Sequence, residues 1–131
     1  MTQLERLYKL NNLLLEEMPQ YKEHAGNFDC GEQSQFRLFR SLVNVRPPIN
    51  ASSVLLQTQD EYLQTRLNDK GIIDINSLNP NAEGLCLWQG DITTLKCEAI
   101  VNAANSQMLG CFCPCHGCID NAIHTFAASC L

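Results

Sequence analysis

The stretch GCFCPCHGCIDNAIH, Gly110 to His124, holds four cysteines and two histidines within fifteen residues. Thiolates and imidazoles this close together on a loop can wrap around one metal ion, and cysteine with histidine is a donor set that zinc takes. Cys111, His116 and Cys118 form C-x4-H-x-C. Three protein ligands leave a fourth position open, as in a catalytic site; a closed structural site would draw its fourth ligand from Cys113, Cys115 or His124. A redox reading also stands. Cys115-His-Gly-Cys118 is a C-x-x-C pair, and such pairs at helix N-termini have lowered thiol pKa values. A third reading leaves the cysteines as small buried side chains.

Other polar residues nearby could act on a ligand. Asp120 lies two residues after the last candidate ligand, where it reads as a helix N-cap at the rim of a cleft. An acid–base role is compatible with that position. His124 shares a helix face with Asp120 and reads as a hydrogen-bonded core residue. Asp91, in Gly90-Asp91-Ile92, follows a candidate strand, and ligands bind at the carboxyl ends of strands in open α/β sheets. Its carboxylate could accept from an exocyclic amine or a ribose hydroxyl, or close a turn. Asn102 and Asn105 flank a second strand end and could orient a polyhydroxyl ligand or close turns.

The elements that must position these groups follow from periodicity. Ile119, Ile123, Phe126 and Cys130 recur at helical spacing. LCLWQGDI (85–92) is expected as a strand closing into a tight turn. Glu98 to Asn102 is expected as a short strand buried on both faces. AANSQMLG (103–110) is a loop of small residues that lets backbone approach a ligand. Before residue 84 the chain reads as solvated helices. TQLERLYKLNNLLLEEM carries Leu4, Leu7, Leu10, Leu14 and Met18, with Thr2 as cap and Pro19 just past the end. EQSQFRLFRSLVNV repeats the pattern with Phe36, Phe39, Leu42 and Val43, and Pro47-Pro48 then force an extended link. ASSVLLQTQDEYLQTRLNDKG places Leu55, Tyr62, Leu63 and Leu67 on a helix stopped by Gly71. IIDI (72–75) is a candidate strand. SLNPNAEG (77–84) is turn chemistry and the expected boundary between two parts, 1–84 and 85–131. The apolar stripes read as packing faces.

Composition narrows the class. The chain has 131 residues, 45% hydrophobic and 18% charged, with a net charge of −5. No clustered basic face is visible, so no nucleic-acid partner is expected. No apolar run approaches the ~18 residues that cross a bilayer, and charges interrupt MTQLERLYKL where a signal peptide would be apolar. A cytoplasmic, membrane-free protein is therefore expected. In that reducing setting the eight cysteines point to metal or chemistry rather than disulfides. The scattered Cys30, Cys86, Cys97 and Cys130 read as mostly buried.

GDITTLKCEAIVNAANSQMLG resembles the opening of a macrodomain, the ADP-ribose-binding three-layer α/β/α fold. GDIT, AIVNAANS and IDNAIH occur in that family's order and spacing. The glycine-rich loop that ordinary hydrolytic macrodomains carry between the last two pieces is replaced here by GCFCPCHGC. This is similar to the zinc-dependent macrodomains of bacteria and fungi, which reverse protein ADP-ribosylation and carry an N-terminal helical extension that residues 1–84 match. The resemblance implies an α/β fold with only its first strands present, preceded by that extension. It implies Zn2+ on Cys111, His116 and Cys118, with Cys115 a possible substitute and Cys113 without a place. It further implies Asp91 on the adenine amine, the Ile92 backbone nearby, Asn105 facing the distal ribose, Asn102 in a more structural role, and Asp120 as the acid of the catalytic loop. The implied reaction is zinc-dependent hydrolysis of ADP-ribose from modified proteins, the family being linked to ester-type attachments on acidic side chains. Macrodomains run to about twice the length left after residue 84, so the chain is expected to be an N-terminal half, inactive or poorly folded alone. A non-catalytic ADP-ribose reader with structural zinc and a cytoplasmic thiol redox protein are the alternatives.

Overall fold

The computed structural model describes residues 1–126; the helical position expected for Cys130 lies outside them. The described residues form five α-helices and a two-stranded parallel sheet, an α/β arrangement. The helices are α1 (Gln3–Glu17), the single turn α2 (Lys22–Ala25), α3 (Glu32–Val45), α4 (Ser53–Lys70) and α5 (Ile119–Phe126).

Local signals set the first helices. Thr2 and Glu5 form a reciprocal capping box at the start of α1, satisfying two otherwise orphaned amides. Ser52 caps α4 by accepting from the Leu55 amide, and Gly71 closes it with φ +96°. The apolar stripes do become packing faces: Leu7, Leu10, Leu14 and Met18 of α1 meet Leu38, Phe39 and Leu42 of α3 and Leu55, Tyr62 and Leu63 of α4 in one core. Thr58 and Gln59 are buried in the middle of the α4 face.

A charged strut holds the ends of α1 and α3. Arg46, 8% exposed, grips both Glu17 carboxylate oxygens at 2.6 and 3.2 Å. It also donates to the Ile49 carbonyl across the Pro47-Pro48 link. Paired guanidinium–carboxylate bonds out of water are strong, and removing one partner strands the other. Arg46→Ala is expected to destabilise the protein by about 2–3 kcal/mol, read as a lower melting temperature.

The sheet is small. β1 (Ile73–Asp74) pairs in parallel with β2 (Leu95–Lys96), in the register Ile73–Leu95 and Asp74–Lys96. The IIDI expectation is thus met by its two central residues. The strands expected over 85–92 and 98–102 are not formed. Leu85, Leu87, Ile100 and Val101 are exposed instead. A buried parallel strand exists only against neighbours that satisfy its backbone, and none flanks these two segments among the described residues. Gly90 ends the first of them in a fold-back under Trp88, where a β-carbon would stand 2.3 Å from the indole ring. The expectation that the scattered cysteines are buried is also corrected, because Cys30 and Cys86 are exposed and Cys97 is half-buried. Each lies in or beside an irregular segment outside the helical core.

Two contacts position α5. Phe126 stacks on Phe36 of α3 at 6.1 Å between ring centroids, and the Arg66 guanidinium of α4 lies over the other ring, 3.8 Å from the Phe36 centroid. Asn44 of α3 donates to the Thr125 hydroxyl at 3.1 Å. Residues on either side of 84 are therefore joined both by the sheet and by α3 against α5. No helix of the described residues is long and apolar enough to cross a membrane.

Candidate metal centre

The loop from Asn105 to Cys118 turns tightly, and three of its non-glycine residues have left-handed backbones: Met108 at φ 57°, Phe112 at 51° and Cys115 at 53°. Each such residue costs on the order of 1 kcal/mol or more. Two of them adjoin candidate ligands, where the reversals bring the chain back on itself. Gly110, at φ +99°, lies directly under the His124 ring, 3.6 Å from where a β-carbon would sit. The result is convergence. One donor atom from each of Cys111, His116 and Cys118 lies within 4.8 Å of the other two. Cys111 and Cys118 are half-buried and His116 is exposed.

Cys118 has a second role. It immediately precedes α5, and its Sγ accepts from the Asn121 amide at 3.3 Å, the hydrogen bond of a helix N-cap. The expectation that Asp120 is the cap is corrected: Asp120 sits inside the first turn. The helix begins one residue after the thiol, because the sulfur already meets an orphan amide.

The remaining cysteines and His124 take other partners. Cys115 turns to α3, with its Sγ 3.3 Å from the Ser41 hydroxyl and 3.6 Å from the Arg37 carbonyl. Its backbone amide donates to Asn44 Oδ1 at 2.9 Å. Cys115 and Cys118 therefore do not form a facing redox pair. Cys113 is exposed. His124 Nδ1 lies 3.1 Å from Asp120 Oδ1 and 3.0 Å from the Asp120 carbonyl. Three donors converge, Cys115 and His124 take other partners, and Cys113 is not part of the converging group.

Asp120 is 3% exposed, and its Oδ1 also accepts from Asn102 Nδ2 at 2.8 Å. Asn102 Oδ1 is buried without a hydrogen-bond partner. Partial burial pushes the Cys111 thiol up, and the Asp120 charge also opposes its ionisation. Hydrogen bonds from the Asn121 side chain, the Cys113 backbone and Cys118 outweigh both and hold it below the usual thiol value.

Asn105 is engaged within its own turn. Its Nδ2 donates to the Gly110 carbonyl at 2.9 Å, and its Oδ1 accepts from the Gln107 and Met108 amides at 3.1 and 3.2 Å. Asp91 and Ile92 form a separate group, with no hydrogen bond to the cluster among the described residues. Asp91 Oδ1 accepts from the Thr93 amide at 2.9 Å and from its hydroxyl at 2.6 Å, capping a short 3-10 turn, while Oδ2 pairs with Lys70 of α4. Ile92 lines an open cavity of about 250 Å³ together with Leu95, Glu98, Ile100, Ile123 and Phe126. α5 therefore divides two spaces, since its Asn121 and His124 line a smaller one beside Gly110 and Cys111.

Partial burial pushes the Asp91 carboxyl up, but bonds from Lys70 and Thr93 and the Lys70 charge prevail and hold it below the usual carboxylate value. A depressed folded-state pKa stabilises the fold above the ordinary carboxylate range, and that contribution is lost as pH falls through the lowered value. Lys70→Ala is therefore expected to melt below the wild type at neutral pH, with the difference vanishing in acid. Thermal melts across that range check it.

Sequence periodicity missed the residues that hold the loop from behind: Arg40, Ser41 and Asn44 on α3, and Asn121 on α5. Their signal was a polar stripe, Arg37, Arg40, Ser41 and Asn44, at helical spacing on a face apart from Leu38, Phe39 and Leu42.

No family model matches the chain. A Treponema medium protein named protein-ADP-ribose hydrolase is 50% identical over 132 residues, which is 97% of this chain and 49% of that protein. A Staphylococcus aureus protein of the same name is 50% identical over 93 residues, 70% of this chain and 35% of its own length. A Fusarium oxysporum f. sp. cubense protein named "Probable bifunctional ADP-ribose hydrolase/ADP-ribosyltransferase" is 42% identical over 123 residues, 86% of this chain and 20% of that protein. The chain spans half or less of the length of these curated relatives, and over nearly all of its own length it is similar to a protein-ADP-ribose hydrolase.

Proposed function

We propose that this chain carries the metal-binding and acid–base part of a zinc-dependent hydrolase, a macrodomain that removes ADP-ribose from modified proteins in the cytoplasm. The observation that carries the reading is the convergence of Cys111, His116 and Cys118, in a chain half identical to a relative named protein-ADP-ribose hydrolase. Two sulfurs and an imidazole nitrogen are a zinc donor set. Bond lengths of about 2.0–2.3 Å place such donors roughly 3.5–4 Å apart, and the three donor atoms lie within 4.8 Å of one another.

Cys111, His116 and Cys118 would hold the zinc, which would supply a Lewis acid there. The protein's own groups do the rest. Asn102 fixes Asp120 Oδ1 and leaves Oδ2 to take the proton of the attacking water. The water oxygen bonds to ribose C1″ as the bond from C1″ to the modified side chain breaks, giving free ADP-ribose and the unmodified side chain. Asn105 keeps one Nδ2 hydrogen for a ribose hydroxyl after its bond to Gly110. Asp91 accepts from the adenine amine, with the Ile92 backbone alongside. Its carboxylate is already ordered by Thr93 and Lys70.

The test is turnover on a mono-ADP-ribosylated protein. Release of many equivalents of ADP-ribose per protein is the expected result when these residues stand in a protein of the relatives' full length, since the 131 residues span 49% of the Treponema medium relative. A protein that binds ADP-ribose and releases none is a reader, and the catalytic assignment then falls.

A further inference from the structure

We infer that Arg40, on α3 and therefore in the N-terminal helical part of the chain, is a positioning residue for the metal centre. It acts through Asn121. This rests on the zinc reading above and adds to it a pair of residues outside the ligand set.

Arg40 donates from Nε and Nη2 to Asn121 Oδ1, at 3.0 and 2.8 Å. Nη2 also donates to the His116 carbonyl at 3.2 Å. With its oxygen so fixed, Asn121 can turn its amide nitrogen only one way. Nδ2 donates to Cys111 Sγ at 3.4 Å and to the Cys113 carbonyl at 2.9 Å. The Asn121 backbone amide meanwhile donates to Cys118 Sγ at 3.3 Å. One asparagine, 1% exposed, thus touches two of the three ligands, and the arginine behind it touches the backbone of the third. Hydrogen-bond donors to a sulfur fix its direction, which is the work of outer-shell partners at metal sites. The fork geometry matters, because a lysine offers a single point donor and cannot hold both acceptors in one plane. The helical part of the chain is in this respect a component of the site.

The experiment compares zinc affinity, by competition with a chromophoric chelator, and the visible d–d spectrum of the cobalt(II)-loaded protein, in the wild type, Arg40→Gln, Arg40→Lys and Asn121→Ala. Zinc affinity is expected to fall about 10- to 100-fold in Arg40→Gln, with partial recovery in Arg40→Lys. The cobalt bands are expected to shift in all three variants. The double variant Arg40→Gln/Asn121→Ala should lose little beyond Asn121→Ala alone, since Arg40 works through that residue. Wild-type affinity and an unchanged cobalt spectrum in Arg40→Gln overturn the inference. So does a loss matched by an equal fall in the stability of the metal-free protein with the spectrum unmoved, which is what a purely structural arginine gives. A wild type that takes up no metal overturns the zinc reading and the inference with it.

Discussion

Cys118→Ser is expected to lose zinc while keeping its fold. The thiol at this position does two things: it completes the cluster of donors, and its sulfur accepts from the Asn121 amide at the start of α5. Serine is among the best N-cap residues, so its hydroxyl preserves the second function. It lacks the soft thiolate that zinc prefers. Loss of an outer-shell partner costs about 10- to 100-fold in metal affinity, and loss of a ligand itself is expected to exceed that. Cys118→Ala should lose the metal equally and, in addition, about 1 kcal/mol of helix capping. Metal content by elemental analysis and thermal melts of both variants separate the two effects. Cys118→Ser that retains a full equivalent of zinc removes Cys118 from the ligand set.

Asp120→Asn is expected to lower kcat by about 10²- to 10⁴-fold, the usual contribution of a positioned acid–base group. Zinc content should stay unchanged, because Asp120 is not a member of the converging trio. The buried carboxylate is held at Oδ1 by Asn102 and lies beside His124 Nδ1. An amide of the same shape keeps one of these contacts and cannot accept a proton. If the residue serves only to anchor α5 against Asn102, the substitution will lower the melting temperature and leave kcat of the surviving folded protein near wild type. Turnover measured with zinc content and melting on the same preparation distinguishes the roles.

The sequence is most legible where structure is local. α3 occupies the segment 32–45 read from its phenylalanine and leucine spacing, and the Thr2 cap and the Gly71 stop fall where those residue types are needed. The convergence of Cys111, His116 and Cys118 is legible for the same reason, since they lie within eight residues of one another. Strands are a different matter. LCLWQGDI and EAIVN have strand composition, yet composition does not supply a neighbour, and a strand is defined by one. The cap of α5 was misplaced by two residues because sulfur is not the usual acceptor at that position.

The network behind the loop shows in the sequence only as a polar stripe on α3, with nothing to say what it meets. Arg40 and Asn121 are separated by 81 residues along the chain, and Asn44 and Thr125 by 81 as well. Apolar periodicity locates the faces that meet through the core; it gives no weight to a polar stripe that meets another element's backbone. Nor does spacing reveal that Asp91 pairs with Lys70 at the end of α4 or that Asn105 closes its own turn. Those assignments depend on which loops fold back and how far.

The most direct test is a zinc titration of metal-free protein of the relatives' full length carrying these residues, following ADP-ribose released from a mono-ADP-ribosylated protein. The predicted result is no release without metal, then a linear rise that levels off at one zinc per chain. Full release by the metal-free protein would contradict the proposed role of the Cys111, His116 and Cys118 centre.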